Sequence, residues 1–138
     1  MNTQNASTSL LARALLSSLF LISGFGKLAA PAATKAYIVY AGLPLPDLAY
    51  LVAVVVEVGF GLALLAGYRT RVVAVLMALF TVATALAFHD HFDDQNQFIH
   101  FLKNIAIAGG LLQVAATGAG AYSLDALRQR RHGARALN

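Results

Sequence analysis

Four long apolar stretches decide what this chain can become. They cover residues 10–28, 48–67, 72–88 and 99–117. A helix needs about 20 residues to cross the hydrocarbon core of a bilayer, with a working range of roughly 17–25. The third stretch carries no charge, the second carries only Glu57, and the fourth carries only Lys103 near its start. In a chain of 138 residues that is 59% apolar and 12% charged, little remains from which to build a soluble domain. A soluble helical bundle would need a polar stripe on each helix, and the second and third stretches have none wide enough. A membrane β-barrel would alternate apolar and polar residues, whereas these runs are continuous. The expected class is therefore all-α: a polytopic membrane protein with a four-transmembrane-helix bundle. The bundle spans about residues 10–120, flanked by polar or basic tails at 1–9 and 123–138.

The start of the chain, with Arg13 ahead of an apolar run and LAAPAA, has some features of a secretory signal. Lys27 interrupts it before any small-residue cleavage site, so the first stretch reads as a retained helix. The longest connection, 29–47, holds all three prolines and a segment, AATKAYIVYAGL, suited to a short interfacial helix. Whether it covers a pocket is not readable from the residues.

Charge sets the expected orientation. With the amino terminus inside, the inner side collects Arg13, Arg69, Arg71, Arg128, Arg130, Arg131 and Arg135, against Lys27, Lys35 and Lys103 outside. Excess Lys and Arg in short cytoplasmic segments fixes topology. Both termini are expected in the cytoplasm, with Arg13, Arg69, Arg71, Arg128, Arg130 and Arg131 as topology anchors. Membrane lipids are the first partners, since a basic tail beside a membrane also meets headgroups. Nucleic acid is not an expected partner, because the positive charge flanks the spans rather than forming a folded basic face.

Polar residues in apolar helices are expected to face protein or a cavity. Helical spacing then groups Arg13, Ser17, Phe20, Gly24 and Lys27 on the first span. It groups Ala49, Ala53, Glu57 and Gly61 on the second, and Ala74, Ala78, Thr81 and Ala85 on the third. On the fourth it groups Lys103, Ala106, Gly110, Gln113 and Thr117, with Asn104 beside them. Glu57 lies nine positions into its span, roughly 14 Å deep. Lys103 is the preferred ionic partner for it and Arg13 the alternative. Glu57 has two readings that do not exclude each other: a proton- or ligand-handling group, or a tie between helices. The pair Lys103–Asn104 suits an anion or a carbonyl-bearing headgroup such as a quinone. Its plainer reading is a snorkelling lysine beside an interhelical hydrogen bond. Lys27 and His89 are expected at the entrance of such a pocket.

The HDH triple at 89–91 has metal-ligand chemistry, but it is short and has no thiolate beside it. No metal is expected, and His100 and His132 add little. No cysteine is present, so there is no disulfide, thiolate site or covalent haem anchor. The P-loop, dinucleotide and HExxH patterns are missing too.

Several pieces, in order, carry a family resemblance. They are RALLSSLFLISGFGKL, with Arg13, Gly24 and Lys27; EVGFGLALLAGYRTR, with Glu57, Gly61, Gly67 and Arg71; the HDHF segment at 89–92; and FLKNIAIAGGLLQVAA, with Lys103, Asn104, Gly109 and Gly110. Together they resemble the DoxX family of small bacterial integral membrane proteins over about residues 10–120. The resemblance implies a four-helix bundle in the bacterial plasma (inner) membrane. It also implies a link to quinone-coupled thiosulfate oxidation or to oxidative-stress redox assemblies. The expected function is an accessory subunit of such an assembly rather than a self-contained enzyme, with redox-complex subunits as partners. No intrinsic cofactor is expected, but quinone is a candidate ligand. Lys27, Glu57, His89, Lys103 and Asn104 are the candidate pocket residues. The alternatives are a carrier of small solutes or lipid-like molecules, and a non-catalytic scaffold. Small-residue faces permit a homodimer without requiring one.

Overall fold

The computed structural model describes residues 3–135. The tips of both tails, residues 1–2 and 136–138, lie outside the described residues, as does the side chain of Arg135. The described residues form helices and no strand. We label them α1 (Thr3–Ala29), α2 (Pro31–Tyr40), α3 (Pro46–Ala66), α4 (Thr70–Phe88), α5 (Gln95–Thr117) and α6 (Leu124–Arg135). Four of them, α1, α3, α4 and α5, are long and apolar enough to cross a membrane.

All four spans begin earlier than hydropathy alone suggests, and on α3, α4 and α5 local backbone and capping chemistry sets the start. Pro46 opens α3 at a position where its missing N–H costs nothing. Asp94 caps α5, its carboxylate accepting from the backbone N–H groups of Asn96 and Gln97. Thr70 opens α4 after Arg69, whose backbone is left-handed at φ 46°. The segment expected to be a short interfacial helix is α2. It starts at Pro31, directly after the end of α1.

The core joins α1, α3, α4 and α5 through Phe20, Val56, Leu64, Met77, Leu111 and Val114. The small side chains of Ala74, Ala78 and Ala108 let the helices approach there. Large apolar side chains such as Leu15, Ile22 and Leu79 point outward, as helices solvated by lipid require. α1 and α3 approach closely at Gly24. A Cβ at Gly24 would lie 2.7 Å from Val58 Cγ2 and 2.9 Å from Glu57 Cβ. α3 ends in a Schellman motif at Gly67, φ 68°, with Gly67 N–H donating to Leu64 O and Tyr68 N–H to Ala63 O.

The inward faces expected on α1, α3 and α4 are inward. Arg13, Ser17 and Phe20 are buried, as are Ala53, Glu57 and Gly61, and Ala74, Ala78, Thr81 and Ala85. The face expected on α5 is corrected. Lys103, Ala106, Gln113 and Thr117 are exposed, and α5 instead buries Ala108, Leu111 and Val114. The small, apolar surface of α4 selects apolar partners. Gln113 and Thr117 lie towards the end of α5, and Lys103 has a stem long enough to reach the interface instead of the interior.

The start of α1 and the segment after α5 lie at one end of the bundle, the terminal end. Ser9 Oγ donates to Ala119 O there, joining the start of α1 to the segment after α5. The opposite, distal end carries α2 and the α4–α5 connection.

Candidate functional site

At the distal end the close approach at Gly24 determines which charges meet. One turn beyond Gly24, Lys27 leaves α1 towards α3. Its Nζ lies 2.9 Å from both Glu57 carboxylate oxygens and donates to Oε1 and to Ser23 Oγ, 2.8 Å away. Tyr50 Oη donates to the Lys27 carbonyl at 3.3 Å. Glu57 is almost fully enclosed, its side chain 8% exposed, while that of Lys27 is 26% exposed. Glu57 also sits in a π-helical turn, Val55–Phe60. Such turns add a residue to the helix and often mark functional positions.

Lys103 is therefore not the ionic partner of Glu57, and neither is Arg13. Lys103 stands exposed on the outer surface of α5, away from the pair. The backbone contact at Gly24 brings α1, not α5, against Glu57.

Beside the pair lies a cavity of about 480 Å³. Its wall is mostly apolar and includes Leu19, Phe20, Val52, Ala53, Phe80 and Phe88. Among the lining residues only Lys27 and Glu57 carry a formal charge at neutral pH with His neutral, and Ser23, Thr34, Thr81, Thr84, His89 and Asn104 add polar atoms. Four of the five candidate residues, Lys27, Glu57, His89 and Asn104, thus come together, and Lys103 does not. Asn104 donates to its own helix at His100 O. His89 Nδ1 lies 2.7 Å from Gln97 Oε1, and its ring stacks on His100.

The 29–47 connection does cover this cavity. Thr34, Tyr37, Ile38 and Leu43 line it, Ile38 is buried, and Tyr37 stacks on Phe88 at 5.4 Å between ring centroids. Lys35 reaches Asp47 at 2.6 Å across the same loop, and its amine is held above its ordinary pKa by the Asp47 hydrogen bond and charge. Reading by single residues missed Ser23 and Thr84. The usable signal for Ser23 was its position four residues before Lys27, one helical turn below it.

The HDH triple splits up. His91 Nδ1 contacts Asp90 at 2.9 Å on the surface, while His89 turns to Gln97. Among the described residues no three His, Cys, Asp or Glu side chains converge as a metal site would require.

The terminal end has no comparable cleft around its buried charge. Arg13, expected as a surface anchor, is fully buried. Its Nη1 donates to the carbonyls of Leu64 and Leu65 at 3.1 and 2.7 Å, and its Nη2 to that of Tyr122 at 2.5 Å. The last carbonyls of a helix lack intrahelical donors and carry partial negative charge, so a guanidinium is drawn to them. That pull, not the headgroup layer, sets the position of Arg13. The remaining anchors, Arg69, Arg71, Arg128, Arg130 and Arg131, are exposed. After a turn at 118–123 the tail forms α6 rather than continuing α5. Asp125 accepts from Arg69 N–H at 2.8 Å and Thr70 N–H at 2.9 Å, capping α4 from 55 residues away. Burial alone would raise the Asp125 carboxyl. Hydrogen bonds from Thr70 and Arg69, with the Arg128 charge, outweigh it and hold the group below its ordinary value.

Comparison with known proteins agrees with this architecture. The DoxX family model matches residues 8–90. The chain belongs to the DoxX family. It is 40% identical over 125 residues to the inner membrane protein YqjF of Escherichia coli K12, covering 88% of this chain and 92% of that relative. It is 39% identical over 121 residues to the inner membrane protein YphA of the same organism, covering 84% and 86%. No solved structure matches significantly. With four candidate spans, this DoxX protein is a multi-pass protein of the bacterial inner membrane.

Proposed function

We propose that this DoxX protein is an accessory membrane subunit of a quinone-linked redox assembly, holding a quinone-class lipid in the distal cavity. The observation that carries the reading is the cavity itself. About 480 Å³ of mostly apolar space ends on one enclosed ion pair, Lys27–Glu57. Ligand sites are typically apolar clefts of about 300–1,000 Å³ with a few placed polar groups. An isoprenoid-bearing ring fits such a space. Leu19 and Val52, exposed at the cavity wall, give its tail a route to the bilayer.

Lys27 has three ammonium protons, and Ser23 and Glu57 take two of them. The third is free for a quinone oxygen, with Asn104 and His89 at the cavity wall. Lys27 is the group placed to give a proton to a reduced oxygen, and Glu57, the acceptor in the pair, is placed to take up a proton from water and return it to Lys27, once for each of the two protons. Reduction of a quinone takes two electrons and two protons. With no cysteine in the chain, the electrons come from a cofactor-bearing partner. In the same proposal both termini face the cytoplasm, because the terminal end carries Arg69, Arg71, Arg128, Arg130 and Arg131 while the distal end collects Asp47, Asp90, Asp93 and Asp94.

The test is affinity purification in mild detergent, followed by solvent extraction of quinones, mass spectrometry of partners and an optical spectrum. The expected result is a co-extracted quinone that is lost in Lys27→Met and Glu57→Gln, together with a cofactor-bearing partner. A lone, colourless, quinone-free protein overturns the reading. Substrate flux in proteoliposomes with no redox change would put a carrier in its place. Terminal reporter fusions active on the outer side of the membrane would overturn the orientation.

A further inference from the structure

The terminal end holds a second cavity, an open bowl of about 790 Å³. It lies between the start of α4, the turn at 118–121 and the first turns of α6. Arg69, Arg71, Arg128 and Arg130 line it, and Asp125 is the acidic residue among its lining. Both Asp125 oxygens are already engaged by the N–H groups of Arg69 and Thr70. None of the four guanidinium groups forms an ion pair with a carboxylate among the described residues. Arg128 is held over the Tyr68 ring, 5.3 Å from its centroid. Arg71 lies against Gly118, whose φ of +84° and missing Cβ leave the turn open beside it. Four cations thus face one occupied carboxylate across a concave surface that reaches solvent.

Such a surface matches a phosphate oxyanion, because guanidinium forks donate paired hydrogen bonds to it. Its surroundings decide which phosphate. Val72, next to Arg71, is exposed on the outer face of α4, and Tyr122, Leu124 and Leu127 are exposed around the start of α6. Apolar side chains beside a basic rim are the arrangement of a helix lying in the headgroup layer. We propose that this bowl binds the phosphate of an anionic glycerophospholipid from the leaflet at the terminal end. Arg71 and Arg130 contact the phosphate, Arg69 and Arg128 supply charge, and Leu124 and Leu127 lie among the acyl chains. The site is remote from the distal cavity and does not depend on what that cavity holds.

The experiment is native mass spectrometry of the full chain in mild detergent, with phosphatidylglycerol or phosphatidylcholine added in turn. One phosphatidylglycerol should be retained per chain, at least about tenfold more tightly than phosphatidylcholine. A basic side chain near an anionic lipid surface contributes about fivefold in binding, so Arg71→Gln with Arg130→Gln should weaken retention about 25-fold. Lys103→Gln, at the distal end, should leave it unchanged. Equal retention of the two lipids overturns the proposal, as does a preference that survives the double substitution. Displacement by millimolar inorganic phosphate with no lipid preference assigns the bowl to a soluble phosphate and overturns the lipid source. If the double variant does not fold, salt decides on the wild-type protein. The preference should fall as ionic strength rises, and a salt-insensitive preference refutes the assignment.

Discussion

At the distal end, Lys27 Nζ sits 2.9 Å from both oxygens of Glu57 beside a cavity of about 480 Å³. At the terminal end, Arg13 is wholly enclosed, and three backbone carbonyls accept from its two Nη groups, while its buried Nε–H has no partner among the described residues. The first arrangement keeps a charge pair next to open space, where a ligand can still be recognised. The second leaves no room, because Arg13 and the Ser123 side chain already fill the position beside Gly67 where a Cβ would stand. A buried charge can therefore meet a ligand only where the fold leaves volume beside it. Arg13 joins α1, the end of α3 and the carboxy-terminal segment, while Lys27–Glu57 joins only α1 and α3.

The sharpest way to break this contrast is to remove Arg13. Arg13→Met takes the guanidinium from the carbonyls of Leu65 and Tyr122 and leaves Leu64 O with only its Gly67 N–H donor. It should cost about 3 kcal/mol or more, read as loss of folded protein on heating in detergent. Arg13→Lys should recover only part of this, since an ammonium cannot fork across three carbonyls on two segments. Limited proteolysis should show early cleavage near Tyr122 in Arg13→Met. An uncut tail would mean that the clamp does not hold it.

Next in size is Gly24→Val. The added side chain meets Val58 and Glu57 at under 3 Å and must force α1 and α3 apart, for about 1–3 kcal/mol. A cross-link between cysteines placed at positions 27 and 57 should form less readily in that background. Unchanged cross-linking would show that Gly24 does not set the pair. Glu57→Gln should cost a similar or smaller amount, because Lys27 keeps partial access to solvent. Equal thermal stability of Glu57→Gln and wild type would mean that the carboxylate is there for the cavity rather than for the helix contact.

Asp125 gives a smaller effect with a definite sign. Its folded pKa lies below the ordinary carboxylate value. Its contribution is therefore complete above the ordinary value, near 3.9, and is lost as pH falls through the depressed one. Tail protection measured by hydrogen exchange should drop on acidification through that window. Asp125→Asn should remove the pH response and about 1 kcal/mol of helix capping at all pH values. The smallest effect is expected for Lys35→Gln. Lys35 and Asp47 pair at the surface, and thermal stability should not move measurably near neutral pH. The raised lysine pKa places any loss of the pair above the ordinary lysine range.

Most of the interior could be read from spacing. On α1, α3 and α4, polar and small residues recur every three or four positions, and those faces are buried. The same reasoning failed on α5. Of its marked residues, Gln113 and Thr117 lie near the end of the span, and Lys103, deeper in it, has a stem long enough to reach the headgroups, so outward polar side chains are inexpensive there. The apolar Leu111 and Val114 are the ones that fill the gap between helices.

The residue string on its own determined that this chain crosses a membrane four times, because a run of about 20 apolar residues has few other stable environments. It also determined which three helix faces turn inward, because helical periodicity is local. Only the tertiary structure decided that Lys27 rather than Lys103 meets Glu57, that Arg13 is a clamp rather than an anchor, and that α2 closes over the distal cavity. Those outcomes depend on how closely two helices approach and which carbonyls are left without donors, and such long-range geometry has no signature in any one stretch of sequence.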